Sequence, residues 1–158
     1  MIVHKMKNNN SVLKELIKTY SQSPNDPENN WNIALHYDNI GQTAPAVSFY
    51  IRTAERSEDD LLKYECLIRA AMCFEKQGTR RFTVKGMIKH AVALQPHRPE
   101  GYYLLSRMHE TDTDDGKWFD AYTMASIGLS LTNFDNLEQL RTKVDFPGKH
   151  ALLFQKAH

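Results

Sequence analysis

Seven histidines are the residues of this 158-residue chain that most readily suggest metal or acid–base chemistry. A catalytic zinc helix carries two histidines four residues apart, and many structural zinc sites use paired Cys-x-x-Cys ligands. Neither spacing occurs here, and Pro96 at the end of a predicted helix separates His90 from His97. We therefore interpret the histidines as exposed or packing side chains and expect neither a metal nor a cofactor.

The acidic run Asp112, Asp114 and Asp115 before Gly116 is similar to the start of a calcium-binding loop. Such a loop has its glycine at the sixth position and a glutamate at the twelfth. Here the glycine comes one position early, and Thr123 stands where the glutamate is needed. The run therefore indicates a solvated turn between two helices.

Ser106 and Cys73 are the candidate nucleophiles for covalent catalysis. Both fall on the packing side of predicted helices, where a small side chain permits close contact between helices. A nucleophile needs a nearby base and a rigid turn, and a phosphate site needs a glycine-rich loop. The seven glycines are isolated, so we expect no catalytic residue in this chain.

Charge is nearly balanced, with 20 Lys and Arg against 19 Asp and Glu. Such a chain has no general attraction for nucleic acid or anionic lipid. One local stretch carries basic residues without an intervening Asp or Glu: Lys76, Arg80, Arg81, Lys85 and Lys89. The last three recur every four residues, which is typical of a solvated outer helix face. Nucleic-acid binding stays open as an alternative, but exposed aromatic residues do not interleave with the stripe.

Several features indicate a cytoplasmic protein without membrane contact. No apolar run approaches the roughly 18 residues needed to cross a bilayer. Residues Met1 to Lys7 are too short and polar for a signal peptide. Cys66 and Cys73 stand seven residues apart on one predicted helix, so their Cα atoms are about 10 Å apart, too far for a disulfide. We expect two free thiols.

Helices must position all of these side chains, and the pattern is clearest from Ser57 to Pro96. A first helix has Leu67, Ala70, Ala71 and Phe74 on one face, and Ser57 with Asp60 suits an N-terminal capping pair. Gly78 can take the left-handed conformation that ends the helix. A second helix follows with Val84, Ile88 and Ala91 inward, and Pro96 ends it.

Similar pairs come before and after this one. Gly41 and Gly78 are 37 residues apart, and Tyr37 and Phe74 each stand four residues before their glycine. A third pair starts at Pro99, and an extra helix with Ser11 as its N-cap precedes the first pair. A period in the mid-thirties is the signature of a helical solenoid. We predict an all-α, right-handed α-solenoid of three helix pairs with flanking helices.

The repeat resembles the tetratricopeptide repeat (TPR) over residues 27–131. Small residues stand at the predicted helix crossings (Ala34, Ala71 and Ser106), a glycine marks the first two turns, and Pro96 stands at the closing-proline position. The resemblance implies one TPR-like domain over residues 1–158. Its expected parts are an N-terminal helix (11–20), repeat 1 (27–57), repeat 2 (58–96), repeat 3 (99–131) and a C-terminal capping segment (132–158).

The C-terminal half is similar to a narrower group of sequences, the helical-repeat segment that follows the catalytic domain in some bacterial and phage family 2 glycosyltransferases. The similar stretches are residues 98–107 (RPEGYYLLSR), 121–129 (AYTMASIGL) and 151–158 (ALLFQKAH). The resemblance implies a partner or parent glycosyltransferase rather than catalysis by this chain.

The first helices of the three pairs line the concave groove in TPR-like solenoids, so their remaining residues are the predicted binding surface for a protein or peptide. These residues are Trp31, Asn32, Leu35, Asn39, Arg69, Met72, Lys76, Tyr103 and Arg107. Aromatic, methionine and arginine side chains suit such a surface. The alternative is that the apolar members simply pack against neighbouring helices.

We predict a non-catalytic, TPR-type protein–protein interaction module that assists a glycosyltransferase. The alternative function is a non-catalytic fragment of a glycosyltransferase that contributes to acceptor binding. Because Leu153, Phe154 and Ala157 leave the last helix apolar, we also expect that helix to pair with another copy or with a larger structure. The predicted core residues are Leu16, Ile33, Ala34, Tyr37, Tyr50, Leu67, Ala70, Ala71, Phe74, Val84, Ile88, Ala91, Leu105, Ala121 and Ala125.

Overall fold

The computed structural model describes residues 2–78, 80–111, 117–144 and 146–157, and these residues form helices and connecting loops. The helices are α1 (Ile2–Gln22), α2 (Pro27–Asn39), α3 (Thr43–Arg56), α4 (Asp60–Gln77), α5 (Arg81–Leu94), α6 (Pro99–Glu110), α7 (Lys117–Leu131) and α8 (Lys149–Ala157). Each of them packs mainly against its neighbours in sequence. The chain is therefore an all-α helical solenoid, as predicted.

Acidic caps and prolines fix where the first helix of each pair begins. Asp26 caps α2 by accepting a hydrogen bond from the backbone N–H of Glu28, at 2.9 Å, and Pro27 occupies the first turn. In α4 the cap is Asp59, which accepts from the N–H of Leu61 at 2.9 Å. The predicted Ser57 cap was wrong, because the Ser57 hydroxyl instead accepts from the N–H of Asp59, at 3.0 Å.

Helix α1 is longer than expected. Ser11 was predicted to begin it, but the helix starts at Ile2 and Ser11 lies inside it. There the Ser11 hydroxyl donates to the carbonyl of Asn8, at 3.2 Å. A serine inside a helix can bond back to the preceding turn in this way. A capping residue type therefore does not by itself mark a helix end.

Glycine turns join the helices of the first two pairs. Gly41 and Gly78 both have φ of +78°, the left-handed conformation that a residue with a Cβ adopts only at a cost. Gly78 follows the last residue of α4, and its N–H donates to the carbonyl of Glu75. The predicted glycine turns are confirmed at both positions.

Two clusters of buried residues form the core, one around α2, α3 and α4 and the other running from α4 to α8. Small residues lie at the closest helix contacts, and Ala34, Ala70 and Ala71 are completely buried. Leu16, Tyr37 and Phe74 are half-buried, while the other predicted core residues are buried. The helix faces therefore match the predicted register.

A long loop, residues 132–148, connects α7 to α8, and its described part contains no helix or strand. Within the part of the chain that the structure describes, no helix combines the length and hydropathy needed to span a membrane. The same residues contain no cluster of three or more potential metal-binding side chains.

Candidate peptide-binding groove

The first helices of the pairs, α2, α4 and α6, carry the residues that were predicted to line a concave groove. The nine predicted site residues differ in how accessible they are there. Four are exposed (Asn32, Asn39, Lys76 and Arg107), and three are half-buried (Leu35, Arg69 and Met72). Trp31 and Tyr103 are only 4% and 8% exposed. These two aromatic residues are therefore not an open binding surface.

Residues 137–144 and 146 of the α7–α8 loop, here called the groove loop, lie across this face. The Arg98 guanidinium, just before α6, donates to the carbonyl of Glu138 at 2.6 Å. Arg141 then reaches Glu28 at the start of α2. The chain returns to α6, where the Phe146 ring meets that of Tyr103 edge-on, with centroids 5.7 Å apart. The groove loop thus goes from the third helix pair to the first and back.

Glu65 of α4 is the central contact of the groove loop. Its side chain is buried, and the residue is only 1% exposed. It accepts hydrogen bonds from the backbone N–H groups of Arg141 and Thr142, both at 2.8 Å. The Thr142 hydroxyl donates a third, at 2.6 Å. A buried carboxylate is costly unless hydrogen-bonded, and these three bonds from one stretch of chain satisfy that requirement.

Arg69, one helical turn after Glu65, holds the next part of the groove loop. Its Nε donates to the Thr142 hydroxyl at 2.9 Å, and its Nη2 donates to the carbonyl of Lys143 at 2.7 Å. Its Nη1 lies 3.7 Å from a carboxylate oxygen of Asp38 in α2. The Thr142 hydroxyl is therefore held between a carboxylate and a guanidinium. Arg69, predicted to meet a partner, is instead engaged within the chain.

Arg141 is held more loosely, at the outer edge of the groove. Its guanidinium donates two hydrogen bonds to Glu28, at 2.9 and 2.7 Å, and lies 5.6 Å from the ring centroid of Trp31. The hydrogen bond from Arg141 lowers the pKa of Glu28, although partial burial opposes this change. Both side chains of the pair are substantially exposed to water, so the ion pair adds little stability.

An apolar patch and a buried ion pair support the other end of the groove loop. Val144 is buried, and Phe146 stacks on Phe134 in addition to its edge-on contact with Tyr103. Arg98 and Glu100 form a buried pair with a nitrogen–oxygen distance of 2.6 Å, and the Tyr64 hydroxyl donates to Glu100 at 3.0 Å. A cavity of about 600 Å³ lies between this pair and the groove loop.

The groove also has an open half, defined here by the predicted residues of α2, α4 and α6 that stay exposed. Its exposed predicted residues are the amides Asn32 and Asn39 and the cations Lys76 and Arg107. Lys76 Nζ lies 3.6 Å from Asp38, and Arg107 lies over the Tyr103 ring at 5.6 Å from its centroid. The open half therefore presents amides and positive charge.

Three groove residues were missed by the sequence reasoning: Glu28, Glu65 and Arg98. Glu65 did carry a signal, because it is the one charged residue in the otherwise uncharged stretch from Tyr64 to Ile68. All five residues of this stretch are buried. A charged residue inside a buried run has to meet a partner. The sequence does not say that this partner comes from more than 70 positions further along the chain.

The candidate nucleophiles have packing roles. The Ser106 hydroxyl is buried and donates to the carbonyl of Ala121 at 2.8 Å. Cys66 and Cys73 are free and buried. Burial, reinforced by Asp38, raises the pKa of the Cys73 thiol to about 12, which makes it a poor nucleophile at neutral pH. Residues 112–116, with the calcium-like acidic run, lie outside the described residues.

The basic stretch is divided among different surroundings. The Arg80 guanidinium lies over the Phe74 ring, 5.2 Å from its centroid. An Arg81 guanidinium nitrogen donates to the carbonyl of Met108 and to the Thr111 hydroxyl. Lys89 is exposed and Lys85 half-buried. Arg81 is therefore part of the packing between α5 and α6 rather than of a uniform solvated face. Phe82, between Arg81 and Lys85, is 94% exposed, so the expectation that no exposed aromatic residue interleaves with the stretch was wrong.

Comparisons with known proteins bear on the fold. No family model matches the chain, and no curated protein matches it either. Among solved structures it is similar to the crystal structure of MamA, a TPR-containing protein, with a TM-score of 0.63 and 15% sequence identity. The match covers 81% of this chain and 71% of that chain. The chain therefore has a TPR-like helical fold, which confirms the predicted resemblance at the level of fold.

Proposed function

We propose that this chain is a non-catalytic protein-interaction module whose concave groove binds a peptide segment of a partner protein. The observation that carries the proposal is that the groove holds a stretch of polypeptide by its main chain. The backbone N–H groups of Arg141 and Thr142 donate to Glu65, and the carbonyls of Glu138 and Lys143 accept from Arg98 and Arg69.

Main-chain recognition of this kind suits peptide binding in general. Every extended segment offers backbone donors and acceptors, while neighbouring side-chain pockets select particular residues. The open half of the groove adds side chains that can select particular residues of a partner. Lys76 and Arg107 are exposed there beside the amides of Asn32 and Asn39, and cations with amides suit acidic groups on a partner. Arg69, although among the predicted site residues, does not belong to this open half because the groove loop engages it.

A capture experiment with matched variants tests the proposal. The chain is immobilised and exposed to an extract of its source, and retained proteins are compared with those held by Lys76→Ala and Arg107→Ala. Lys85→Ala and Lys89→Ala on α5 remove cations outside the groove and serve as controls. We expect a specific partner to be lost from both groove variants and kept by both controls. A partner lost only from the controls would contradict the proposal and favour the nucleic-acid or anion surface.

The absence of catalysis and a cytoplasmic location belong to the same proposal. Support for non-catalysis comes from the candidate nucleophiles, since Ser106 and Cys73 are both buried in helix contacts. Turnover of a sugar nucleotide by the purified chain, abolished by a point substitution, would contradict this part.

A glycosyltransferase is the partner class we propose on sequence resemblance. What supports it is the similarity of residues 98–107, 121–129 and 151–158 to helical segments attached to family 2 glycosyltransferases. The alternative is that the chain is itself such a segment and contributes to acceptor binding. Co-purification with a glycosyltransferase, sensitive to Lys76→Ala, supports the first version. Covalent continuity of the two in the source protein supports the second.

Self-association through α8 is the last part of the proposal. Leu153 and Phe154 are 50% and 57% exposed, and Trp118 and Phe119 on α7 are 61% and 73% exposed. An exposed apolar patch of this kind often marks an interface. The expected consequence is a mass in solution that rises with concentration.

A further inference from the structure

The groove loop has the features of a bound peptide, and this inference rests on the proposed function. Each binding element of the loop faces a complementary group on the helices. The Arg141 cation meets Glu28 and Trp31. The Thr142 N–H and hydroxyl meet Glu65, and the hydroxyl also meets Arg69. Val144, two residues further on, is buried.

The groove would be unstable if this site were left empty. The hydrogen-bond donors to Glu65 among the described residues all come from the groove loop. Departure of the loop would leave a buried carboxylate without these donors, and an uncompensated buried charge is strongly unfavourable. The helices therefore require an occupant with the same donors, whether it comes from this chain or from another.

The groove loop is nevertheless held by few buried side chains. Glu138, Gln139, Arg141 and Lys143 are exposed. Val144 is the one fully buried side chain among the described residues of the loop, while Leu140 and Phe146 are half-buried against the same core. The Arg141–Glu28 pair is itself exposed. Segments with few buried apolar contacts open at a lower free energy than the packed helices around them. A loop of this length without secondary structure is also more often functional than structural.

We propose that the groove loop is an intramolecular ligand, and that a partner displaces it with a segment of the same chemistry. That segment carries a basic residue for Glu28 and Trp31, followed by serine or threonine for Glu65 and Arg69, then any residue, then an apolar one. The order is that of residues 141–144 (RTKV). The loop stays attached to α7 and α8, so it competes with the partner until it is loosened.

A synthetic, fluorescein-labelled peptide of residues 137–146 (LEQLRTKVDF) is the probe, and fluorescence anisotropy measures its binding to the full chain. The wild-type groove is already filled, so it should bind the probe weakly. Arg141→Ala and Thr142→Ala loosen the loop while every helix residue of the groove remains. Thr142→Ala should bind the probe roughly tenfold more tightly, because the fraction of empty groove sets the apparent affinity. Arg141→Ala removes an exposed ion pair and should gain a smaller factor, about two- to fivefold.

Matched controls separate this effect from general loosening. Gln139→Ala alters an exposed side chain of the loop and should bind the probe as weakly as wild type. Glu65→Gln combined with Thr142→Ala should lose the gained affinity, and a probe with glutamate in place of the arginine should not bind. Far-ultraviolet circular dichroism confirms that each variant keeps its helices. If Thr142→Ala misfolds, the test rests on Arg141→Ala, because the Arg141 side chain is exposed and its removal should not disturb the fold.

Two results would overturn the inference. One is that both loosened variants bind the probe no better than wild type, which would make the groove loop a permanent part of the fold. The other is that light scattering shows the loosened variants to be dimers that do not bind the probe. A second copy of the chain would then be the occupant of the groove. If the probe fails while a captured partner still depends on Lys76 and Arg107, the inference fails but the proposed function stands.

Discussion

Glu65 and the glycines show how single residues define this structure. Glu65 is buried on α4 and accepts hydrogen bonds from two consecutive backbone N–H groups of the groove loop. Charged acceptors form stronger hydrogen bonds than neutral ones. One carboxylate therefore fixes where the loop crosses the groove. Gly128 acts in a different way, because it gives α7 the space to approach Tyr102 of α6.

Substitution by alanine should have opposite effects on stability at two helical glycines, Gly86 and Gly128. At Gly128 an added Cβ would lie 2.8 Å from the Cβ of Tyr102, whereas at Gly86 nothing lies within 4 Å. Gly86→Ala should stabilise the chain by about 1 kcal/mol, the difference in helix propensity. Gly128→Ala should destabilise it, since overpacking costs about 1–3 kcal/mol. Urea unfolding of both variants is the measurement, and equal shifts would show that the α6–α7 contact is looser than described.

Cys73 should resist labelling by thiol reagents in the folded chain. Burial raises its pKa from the usual 9.0 to about 12, so the reactive thiolate is scarce below pH 9. In urea the thiol recovers its ordinary pKa and should react faster as the pH rises from 7 to 9. Above pH 9 the unfolded state loses its proton first, so stability should fall as pH rises towards the folded pKa. Rapid labelling of the folded protein at pH 7 would contradict the buried placement.

At the scale of elements, local signals determined the helices but not the groove loop. Asp26 with Pro27, Gly78 and Pro96 act on residues within a turn of themselves, and the helix bounds followed from them. The groove loop is held by contacts between residues 40 to 113 positions apart. No periodicity encodes such contacts. Trp31 and Tyr103 were therefore predicted as groove surface, although contacts with the loop help to cover them.

The packing register of α4 can be tested at Ala71. This residue is completely buried and belongs to the core cluster shared with α5 and α6. Ala71→Leu adds volume where helices already touch, which should destabilise the chain by about 1–3 kcal/mol. Ala44→Leu is the control, because Ala44 is exposed on α3. Thermal unfolding compares the two, and an unchanged midpoint for Ala71→Leu would show that the register is wrong.

At the scale of the whole molecule, the solenoid presents an apolar surface on α7 and α8. Leu153 and Phe154 are half exposed there, near the third helix pair. Val12 and Ile17 on α1, at the other end of the array, are 47% and 44% exposed. Helical solenoids cover such ends with polar caps or with a neighbour. We attribute to α8 the stronger tendency to associate, because aromatic residues of α7 add to its surface.

Light scattering across a range of protein concentrations tests this self-association. The wild-type mass should rise with concentration. Leu153→Gln with Phe154→Gln should shift that rise to higher concentration, because it removes apolar area from the contact. Val12→Gln on α1 is the matched control and should leave the curve unchanged. A wild-type mass that stays monomeric throughout, or an effect of the control alone, would contradict the assignment to α8.

Hydrogen exchange at the amides of Arg141 and Thr142 tests the central claim, that the groove holds a bent stretch of polypeptide through Glu65. In the wild-type chain both amides should exchange slowly, although they lie in a loop. Glu65→Gln should lower their protection roughly ten- to hundredfold, which corresponds to losing a charged hydrogen bond of about 1.5–3 kcal/mol. Glu75→Gln, an exposed substitution on the same helix, should leave it unchanged. Fast exchange of both amides in the wild-type chain would contradict the account.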